Sequence, residues 1–256
     1  MVPRDSPAGW RLMICETRTD VGRVRTVNED SILIDNENGI YLLADGMGGH
    51  EAGEVASKLA VEIAYAYLLE RLHCFGADGN EILQVMEEAF LATDKMVKEN
   101  ASGSPQCKGM GTTLLATVVY GNRVYVCSVG DSRLYLIRRS ITQKTVDDTL
   151  GNSILISNKS SQNKIPEKYW NILTQAVGGE MPIVPANNTF RIFPDDILIM
   201  CSDGLYKMVS DIEIQLISNT NNSNLNIAAD ELLKTALKNG GNDNISFILI
   251  KHDYMK

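Results

Sequence analysis

Three apolar, strand-like runs in this sequence border on an aspartate that stands close to a glycine. They are Ile40–Ala44 before Asp45-Gly46, Ile197–Cys201 before Asp203-Gly204, and Ile245–Lys251 after Gly240-Gly241-Asn242-Asp243. A fourth acidic pair, Glu29-Asp30, precedes the run that contains Ile32. An aspartate at the end of a buried strand is partly removed from water, and an unpaired charge there is costly. The chain must therefore neutralise these carboxylates if the strand ends converge.

Few basic side chains stand near these aspartates in the sequence. No Lys or Arg lies within three residues of Asp45, Lys207 is four residues from Asp203, and Lys238 is the nearest base to Asp243. The formal net charge of -8 makes neutralisation by side chains alone harder. Hard oxygen ligands suit Mg²⁺ or Mn²⁺, and His and Cys are too few to indicate zinc. We therefore predict a bound divalent cation; the alternative is that each Asp-Gly pair is only a turn between strands.

Composition and charge argue against several classes of protein. Nucleic acids and anionic membranes carry phosphate charge that an acidic chain would repel, so we expect neither as a partner. No run reaches the ~18 apolar residues of a transmembrane helix, and the N-terminal residues lack the apolar core of a signal peptide. The five cysteines show no metal-binding or redox spacing. We expect a cytoplasmic protein in which Cys127 and Cys201 are buried core thiols.

Strand signals occur in groups. Apolar, β-rich runs predict strands at Ser31–Asp35, Ile40–Ala44, Leu114–Tyr120, Arg123–Val129, Arg133–Arg138, Ile197–Cys201 and Ile245–Lys251. Gly121-Asn122 predicts a tight hairpin between two of them, because glycine tolerates the positive φ of such a turn. Strands grouped in hairpins with helices grouped between them favour α+β layering over a βαβ series.

Four segments carry helix signals. The first two have apolar residues at helical spacing, the third opens with a capping box, and the fourth is followed by a glycine that can end it. They are Val55–Tyr67, Ile82–Val97, Ser210–Glu213 and Leu225–Asn239. The segment Ser140–Lys168 is rich in Ser, Asn, Thr and Lys and has weak periodicity. We predict that it is a surface excursion that shapes access to a site.

These motifs together resemble the metal-dependent protein phosphatase family (the PP2C or PPM type), especially its bacterial members. The matching blocks are TDVGRVRTVNED at 19–30, ADGMGGHEAGEVAS at 44–57, GMGTTLLATVV at 109–119, VGDSRLYLIR at 129–138, MCSDGLYKMVSD at 200–211 and GGNDNISFILI at 240–250. The resemblance implies one domain over residues 1–256, with its motif-bearing core at about 19–251. It also implies an α+β fold, a four-layer α/β/β/α sandwich with two central antiparallel sheets flanked by helices.

The resemblance further implies a centre of two Mn²⁺ or Mg²⁺ ions. By matching positions, the implied ligands are Asp45 bridging both ions, the Gly46 carbonyl, Asp203 and Asp243, with Glu29 and Asp30 acting through coordinated waters. Arg25 aligns with the arginine that grips the substrate phosphate, and its planar fork suits phosphate oxygens. Asp131 and Arg133 of the GDSR block are interpreted as structural support near the site.

The implied reaction is hydrolysis of phosphoserine and phosphothreonine by direct attack of a water or hydroxide that the two metals share. No cysteine or serine nucleophile is expected. His50 joins Asp45 and Arg25 as the candidate catalytic residues, with His50 as proton donor, although a metal-bound water could do the same work. Many bacterial members hold a third metal partly through an acid just upstream of the GMGTT block. Residues 104–108 contain no acid, so a third site is doubtful or differently built.

Three other functions remain open at this point. The chain could be a catalytically silent PP2C-fold regulatory or binding module, a metallo-hydrolase of small phosphoesters, or a dedicated phosphatase for one regulatory partner. All the aspartates expected of an active member are present, which favours the enzyme. The resemblance implies phosphoserine and phosphothreonine proteins as substrates and a partner serine/threonine kinase. We expect a monomer.

Overall fold

Eleven strands and six α-helices lie within the part of the chain that the computed structural model describes, residues 13–48, 52–72, 79–103, 109–158 and 165–252. The strands are β1 (Met13–Asp20), β2 (Asp30–Asp35), β3 (Ile40–Met47), β4 (Gly111–Thr112), β5 (Leu114–Tyr120), β6 (Arg123–Val129), β7 (Arg133–Ile137), β8 (Ile141–Gln143), β9 (Ala186–Arg191), β10 (Ile197–Cys201) and β11 (Ile245–His252). The helices are α1 (Ala52–Leu72), α2 (Gly79–Gly103), α3 (Leu150–Asn158), α4 (Asp203–Tyr206), α5 (Asp211–Thr220) and α6 (Leu225–Lys238), with a 3-10 helix at Glu167–Asn171.

The strands form two sheets in which all neighbours are antiparallel. One sheet has the order β1-β11-β10-β7-β8, and the other has the order β2-β3-β5-β6-β9 with β4 paired to β3. In the first sheet, the earliest described strand pairs with the latest along its whole length, from Met13 opposite His252 to Asp20 opposite Ile245. The loop that follows β1 and the loop that precedes β11 therefore meet at the same end of this sheet.

Both faces of each central strand are covered, which explains why the strands read as continuous apolar runs. On β3, Tyr41 and Leu43 pack in the layer between the sheets, whereas Leu42 packs under α1 and α2. On β10, Met200 lies between the sheets, whereas Ile199 packs against the cluster formed with α5 and α6. The predicted four-layer α/β/β/α sandwich is confirmed.

Several local predictions are confirmed as well. Gly121 has a φ of 61° in the turn between β5 and β6. Ser210 caps α5, where its side chain accepts a hydrogen bond from the Glu213 N–H and Glu213 bonds back to the Ser210 backbone. Cys127 and Cys201 are buried, and burial raises the pKa of both thiols. None of the helices in the described ranges has the length and apolar character that a membrane crossing needs.

The sequence patterns missed strands at the sheet edges. β9 is an edge strand with largely exposed, polar residues, so it lacks the apolar alternation of a half-buried strand. The segment 140–168 is more regular than its composition indicates, because it contributes β8 to the first sheet and forms α3. Gly151 of α3 packs so closely on the Trp170 ring that an added Cβ would lie 2.7 Å from the ring. This contact fixes α3 against the 3-10 helix.

Leu43→Ala tests the layer between the sheets. Leu43 is fully buried there, so truncation should lower the free energy of unfolding by about 2–5 kcal/mol through lost burial and a residual cavity. Leu216→Ala on α5 is the matched control, because that leucine is 65% exposed and its loss should cost about 0.5 kcal/mol or less. Urea denaturation measures both. Equal losses in the two variants would contradict the sandwich packing.

Candidate metal centre

Both sheets bring carboxylates to the same end of the sandwich. In the second sheet, Asp30 at the start of β2 lies directly opposite Asp45 near the end of β3. In the first sheet, Asp203 follows the end of β10 and Asp243 precedes the start of β11, and these two strands are antiparallel neighbours. Glu29 lies next to Asp30 in the chain. The acidic residues singled out in the sequence therefore converge in space.

A cavity of about 580 Å³ opens at this end. Among the residues that the structure describes, five carboxylates and two cationic side chains line it. The charged lining residues are Glu29, Asp45, Asp131, Asp203, Asp243, Arg25 and Lys207. Gly46 also lines the cavity, so the predicted ligands Asp45, Gly46, Asp203 and Asp243 share one space.

The backbone of Asp45 is held by two threonines, Thr112 at the end of β4 and Thr113 directly before β5. The Asp45 carbonyl oxygen accepts hydrogen bonds from the Thr112 hydroxyl and from the Thr113 N–H, both at 2.9 Å. The Asp45 N–H donates to the Thr113 hydroxyl at 2.9 Å. Because the main chain is fixed on both sides, the Asp45 carboxylate is presented to the cavity from a rigid strand end.

Two glycines permit close approach of the backbone around the cavity. A Cβ added at Gly204 would overlap the Asn244 carbonyl oxygen, and one added at Gly46 would overlap the Gly53 carbonyl oxygen. The first turn of α4 and the loop before β11 can therefore touch, and β3 can lie against the start of α1. These contacts explain why a glycine follows Asp45 and Asp203 in the sequence.

Asn244 ties the loop 21–29 to the start of β11, a connection that the sequence patterns did not reveal. Its side-chain oxygen accepts from the Glu29 N–H at 2.8 Å, and its side-chain nitrogen donates to the Val21 and Val27 carbonyls at 3.0 and 2.9 Å. The Asp30 carboxylate accepts a hydrogen bond from the Ser202 hydroxyl at 2.8 Å. Glu29 thus borders the cavity, while Asp30 is bonded to the residue preceding Asp203.

Two bases already compensate part of the acidic charge. Arg25 donates to the Asp243 carboxylate at 2.8 Å, and Lys207 donates to the Asp203 carboxylate at 2.6 Å. Since Arg25 and Asp243 are 218 residues apart, the sequence could not show this pair. Within the described ranges, no three His, Cys, Asp or Glu side chains stand gathered around a common point as metal ligands.

The remaining carboxylates carry perturbed acidities. Burial, followed by repulsion from Asp30 and Asp203, raises the pKa of Asp45 well above its usual range. Burial raises the pKa of Asp30 to about 7 and that of Asp131 to about 6, with the negative charge of Asp203 adding to both. Burial alone would lower the pKa of Lys207, but the nearby carboxylates outweigh it and raise that pKa. The cluster is thus short of positive charge.

Arg133 supports the site from outside the cavity. Its guanidinium pairs with Asp147 at 2.7 Å and stacks over the Tyr206 ring at 3.6 Å from the ring centre. The Tyr206 hydroxyl in turn lies 3.2 Å from the Asp131 carboxylate, which does border the cavity. His50, the predicted proton donor, lies outside the described residues, as do residues 104–108, on which the third-metal expectation rests.

The donor set fits divalent metal ions. The lining supplies carboxylate oxygens and a backbone carbonyl, which are the hard ligands that Mg²⁺ and Mn²⁺ prefer. Burial raises the pKa of three lining carboxylates, Glu29, Asp45 and Asp131. Among the described lining residues, these three have no ion-pair partner, because Arg25 and Lys207 pair with Asp243 and Asp203. Added divalent charge would remove that imbalance.

Comparisons with known proteins agree on one family. The family model described as "Protein phosphatase 2C" matches residues 22–239. The chain is 34% identical over 252 residues to a serine/threonine phosphatase Stp of Listeria welshimeri, covering 95% of this chain and 98% of the relative. Among curated proteins it is also 33% identical to the protein phosphatase PhpP of Streptococcus pneumoniae, covering 91% and 94% of the two chains.

Solved structures give the same result. The serine/threonine phosphatase of S. agalactiae superposes with a TM-score of 0.85 at 30% identity and covers 94% of this chain and 100% of that chain. The catalytic domain of the phosphatase PstP, solved with two manganese ions, superposes with a TM-score of 0.80 at 32% identity and covers 93% and 97%.

Titration of Asp30 should make the metal-free protein less stable as the pH rises from about 4 to about 7. In this window the folded state keeps a proton that the unfolded chain has lost, because the folded pKa is about 7, and stability falls where the folded state binds more protons. Each pKa unit corresponds to about 1.4 kcal/mol. Urea denaturation in EDTA at pH 5 and pH 8 should show the loss.

Asp30→Asn isolates the contribution of this carboxyl. The variant should lose less stability between the two pH values than the wild type, whereas Asp230→Asn on the surface of α6 should lose as much as the wild type. An Asp30→Asn variant with an unchanged pH dependence would show that Asp30 ionises normally in the folded protein.

Proposed function

Because this chain belongs to the protein phosphatase 2C family and is a metal-dependent protein serine/threonine phosphatase, we propose that Asp45, the Gly46 carbonyl, Asp203 and Asp243 are its protein metal ligands. The family and the Mn²⁺ or Mg²⁺ requirement predicted from the motifs are confirmed by the family match and the manganese-containing relative. The observation that carries the ligand assignment is the convergence of five carboxylates on a cavity in which the described part of the chain places two bases.

The assignment gives each of these groups a separate task. When bound, the two divalent cations supply positive charge for the phosphoryl oxygens and lower the pKa of a water so that it can attack phosphorus. Asp45 is close enough to be affected by the charge of Asp30 in its own sheet and by those of Asp203 and Asp243 in the other. It would therefore be the ligand that both ions share. The Glu29 carboxylate accepts a hydrogen bond from the Gly53 N–H, and the Asp30 carboxylate accepts one from the Ser202 hydroxyl. Because each carboxylate already has a partner in the protein, both suit a role as acceptors for ordered water rather than as direct ligands.

Arg25 is the proposed phosphate-binding residue. It lines the cavity with its side chain 49% exposed, and its guanidinium reaches the Asp243 carboxylate. A planar guanidinium can donate two parallel hydrogen bonds to a phosphate, so it orients the phosphoryl group as well as attracting it. Arg25 therefore positions the substrate next to the carboxylate cluster.

His50 remains the candidate proton donor to the departing serine or threonine oxygen. The proposal rests on its place in the GMGGH motif next to Asp45. A neutral histidine accepts a proton near pH 7 and its cation donates one, so the residue type suits this task. A water held by the metals is the alternative donor.

We also infer the wider setting of the enzyme. Substrates are phosphoserine and phosphothreonine proteins, and a serine/threonine kinase that acts on the same proteins is the expected partner in signal transduction. The cysteines are scattered in the sequence, and Cys15, Cys127 and Cys201 are free thiols, which fits a reducing, cytoplasmic location. The matching blocks from 19 to 251 support one phosphatase domain over residues 1–256, and we expect it to act as a monomer.

Asp203→Asn tests the ligand assignment. With Mn²⁺ or Mg²⁺ the wild type should hydrolyse a phosphothreonine peptide, and EDTA should abolish the activity. The variant should lose about 100-fold or more in activity and bind Mn²⁺ more weakly in a calorimetric titration, because a neutral amide is a poorer ligand than a carboxylate. Asp230→Asn, which alters a carboxylate 65% exposed on α6, is the control and should match the wild type.

Two results would overturn parts of this proposal. Unchanged Mn²⁺ affinity in folded Asp203→Asn would remove Asp203 from the ligand set. No turnover by the folded wild type with either metal would favour the catalytically silent module, with the carboxylates as structural residues.

Arg25→Ala tests the phosphate-binding assignment. The variant should raise KM for the phosphothreonine peptide about tenfold or more, since charge-assisted hydrogen bonds to the phosphate are lost. Its affinity for Mn²⁺ should not fall, because Arg25 pairs with a metal ligand but is not one itself. Arg23→Ala, two residues away in the same loop and also exposed, is the control. A normal KM in Arg25→Ala would contradict the assignment.

A further inference from the structure

Lys207 stands out as the second cationic side chain in the cavity. It lies one helical turn after Asp203, and its ammonium donates to the Asp203 carboxylate at 2.6 Å. Its backbone N–H also donates to the Asp203 carbonyl oxygen at 2.9 Å. The main chain of Lys207 is therefore fixed, whereas its ammonium group is held by one ion pair. Lys207 and Arg25 have the same arrangement: each pairs with one proposed metal ligand and lines the same cavity.

We propose that Lys207 is a second phosphate-binding residue of this site, acting together with Arg25. The inference rests on the proposed role of Asp203 as a metal ligand. Once the charge of Asp203 is shared with a metal, Lys207 no longer has that carboxylate as its exclusive partner. Its long, flexible stem and a side chain that is 33% exposed let the ammonium turn to an anion in the cavity.

Lys207 already lies near Asp131 and Asp45, whose negative charges keep its ammonium at the acidic cavity. An ammonium released from Asp203 could contact anions in two places. One is a phosphate in the acidic cavity. The other is a neighbouring cavity of about 700 Å³, which Lys207 and Asn171 also line and which contains Asp147 and Glu167. Asp147 is already paired with Arg133 at 2.7 Å, and Glu167 is an exposed residue of the 3-10 helix. A doubly charged phosphate is the stronger competitor for an ammonium, so the first destination is favoured.

Lys207→Met tests the proposal through binding rather than turnover. Inorganic phosphate is titrated calorimetrically into the wild type and the variant at saturating Mg²⁺. The variant should bind phosphate about tenfold more weakly, because a charge-assisted hydrogen bond is lost. Lys207→Arg should keep most of the affinity. Lys207→Gln replaces the methionine variant if the latter does not fold.

The same variants are titrated with Mn²⁺ and unfolded thermally in EDTA. Lys207→Met should bind Mn²⁺ more tightly, because a competitor for Asp203 is gone, and its metal-free form should melt at a lower temperature, because Asp203 loses its counter-ion. Lys98→Met is the matched control. Lys98 pairs with Asp94 at the same spacing on α2, at 2.7 Å, with exposures of 33% and 12% against 33% and 16% for the Lys207 pair.

The outcomes separate this inference from the proposed function. Unchanged phosphate affinity in Lys207→Met, with tighter Mn²⁺ binding, would make Lys207 only a counter-ion of Asp203 and overturn the inference. Weaker phosphate binding in Lys207→Met but not in Lys98→Met would support it. Failure of Asp203→Asn to alter Mn²⁺ binding would overturn the underlying ligand assignment instead.

Discussion

Repulsion among partly buried carboxylates is the constraint on which the functional end of this sandwich depends. Asp45 and Asp30 face each other across two strands, and Asp203 and Asp243 reach the same cavity from the other sheet. Such an arrangement is costly without counter-charge. The fold tolerates it because the apolar layers on both sides of each sheet stabilise the strands that carry these residues. The free energy gained by burying apolar side chains in these layers thus offsets the electrostatic cost of keeping the carboxylates together for cation binding.

The backbone around the cavity is held more firmly than the two cationic side chains that line it. Backbone groups around the cavity are fixed by hydrogen bonds and by glycine contacts, as at Asp45 and Gly204. The charged heads of Arg25 and Lys207 are held by ion pairs instead, with side chains 49% and 33% exposed. Exchanging one ion pair for another changes little in free energy when both are partly solvated. The cations can therefore change partners while the carboxylates keep their backbone positions.

The sequence revealed those parts of the structure that depend on local order. Buried strands such as Leu114–Tyr120 and the cap at Ser210 carry their signals within a few residues. The edge strand Ala186–Arg191 was missed because its polar side chains are largely exposed, and its strand state depends on pairing with β6. The acidic positions of the site were recognisable from repeated Asp-Gly motifs. The Arg25–Asp243 pair and the bonds of Asn244 were not, since they join segments more than 200 residues apart.

The pairing of β1 with β11 has a consequence for how the protein is made in the cell. A nascent chain that has not yet emerged as far as β11 lacks Asp243 and Asn244. In such a chain β1 lacks its partner strand, and β10 lacks one of its two. Domains generally fold as units during synthesis, and contacts of such long sequence separation form late. Truncated or unfinished chains therefore cannot assemble the centre. We therefore expect incomplete translation products that end before β11 to lack the activity of the finished chain.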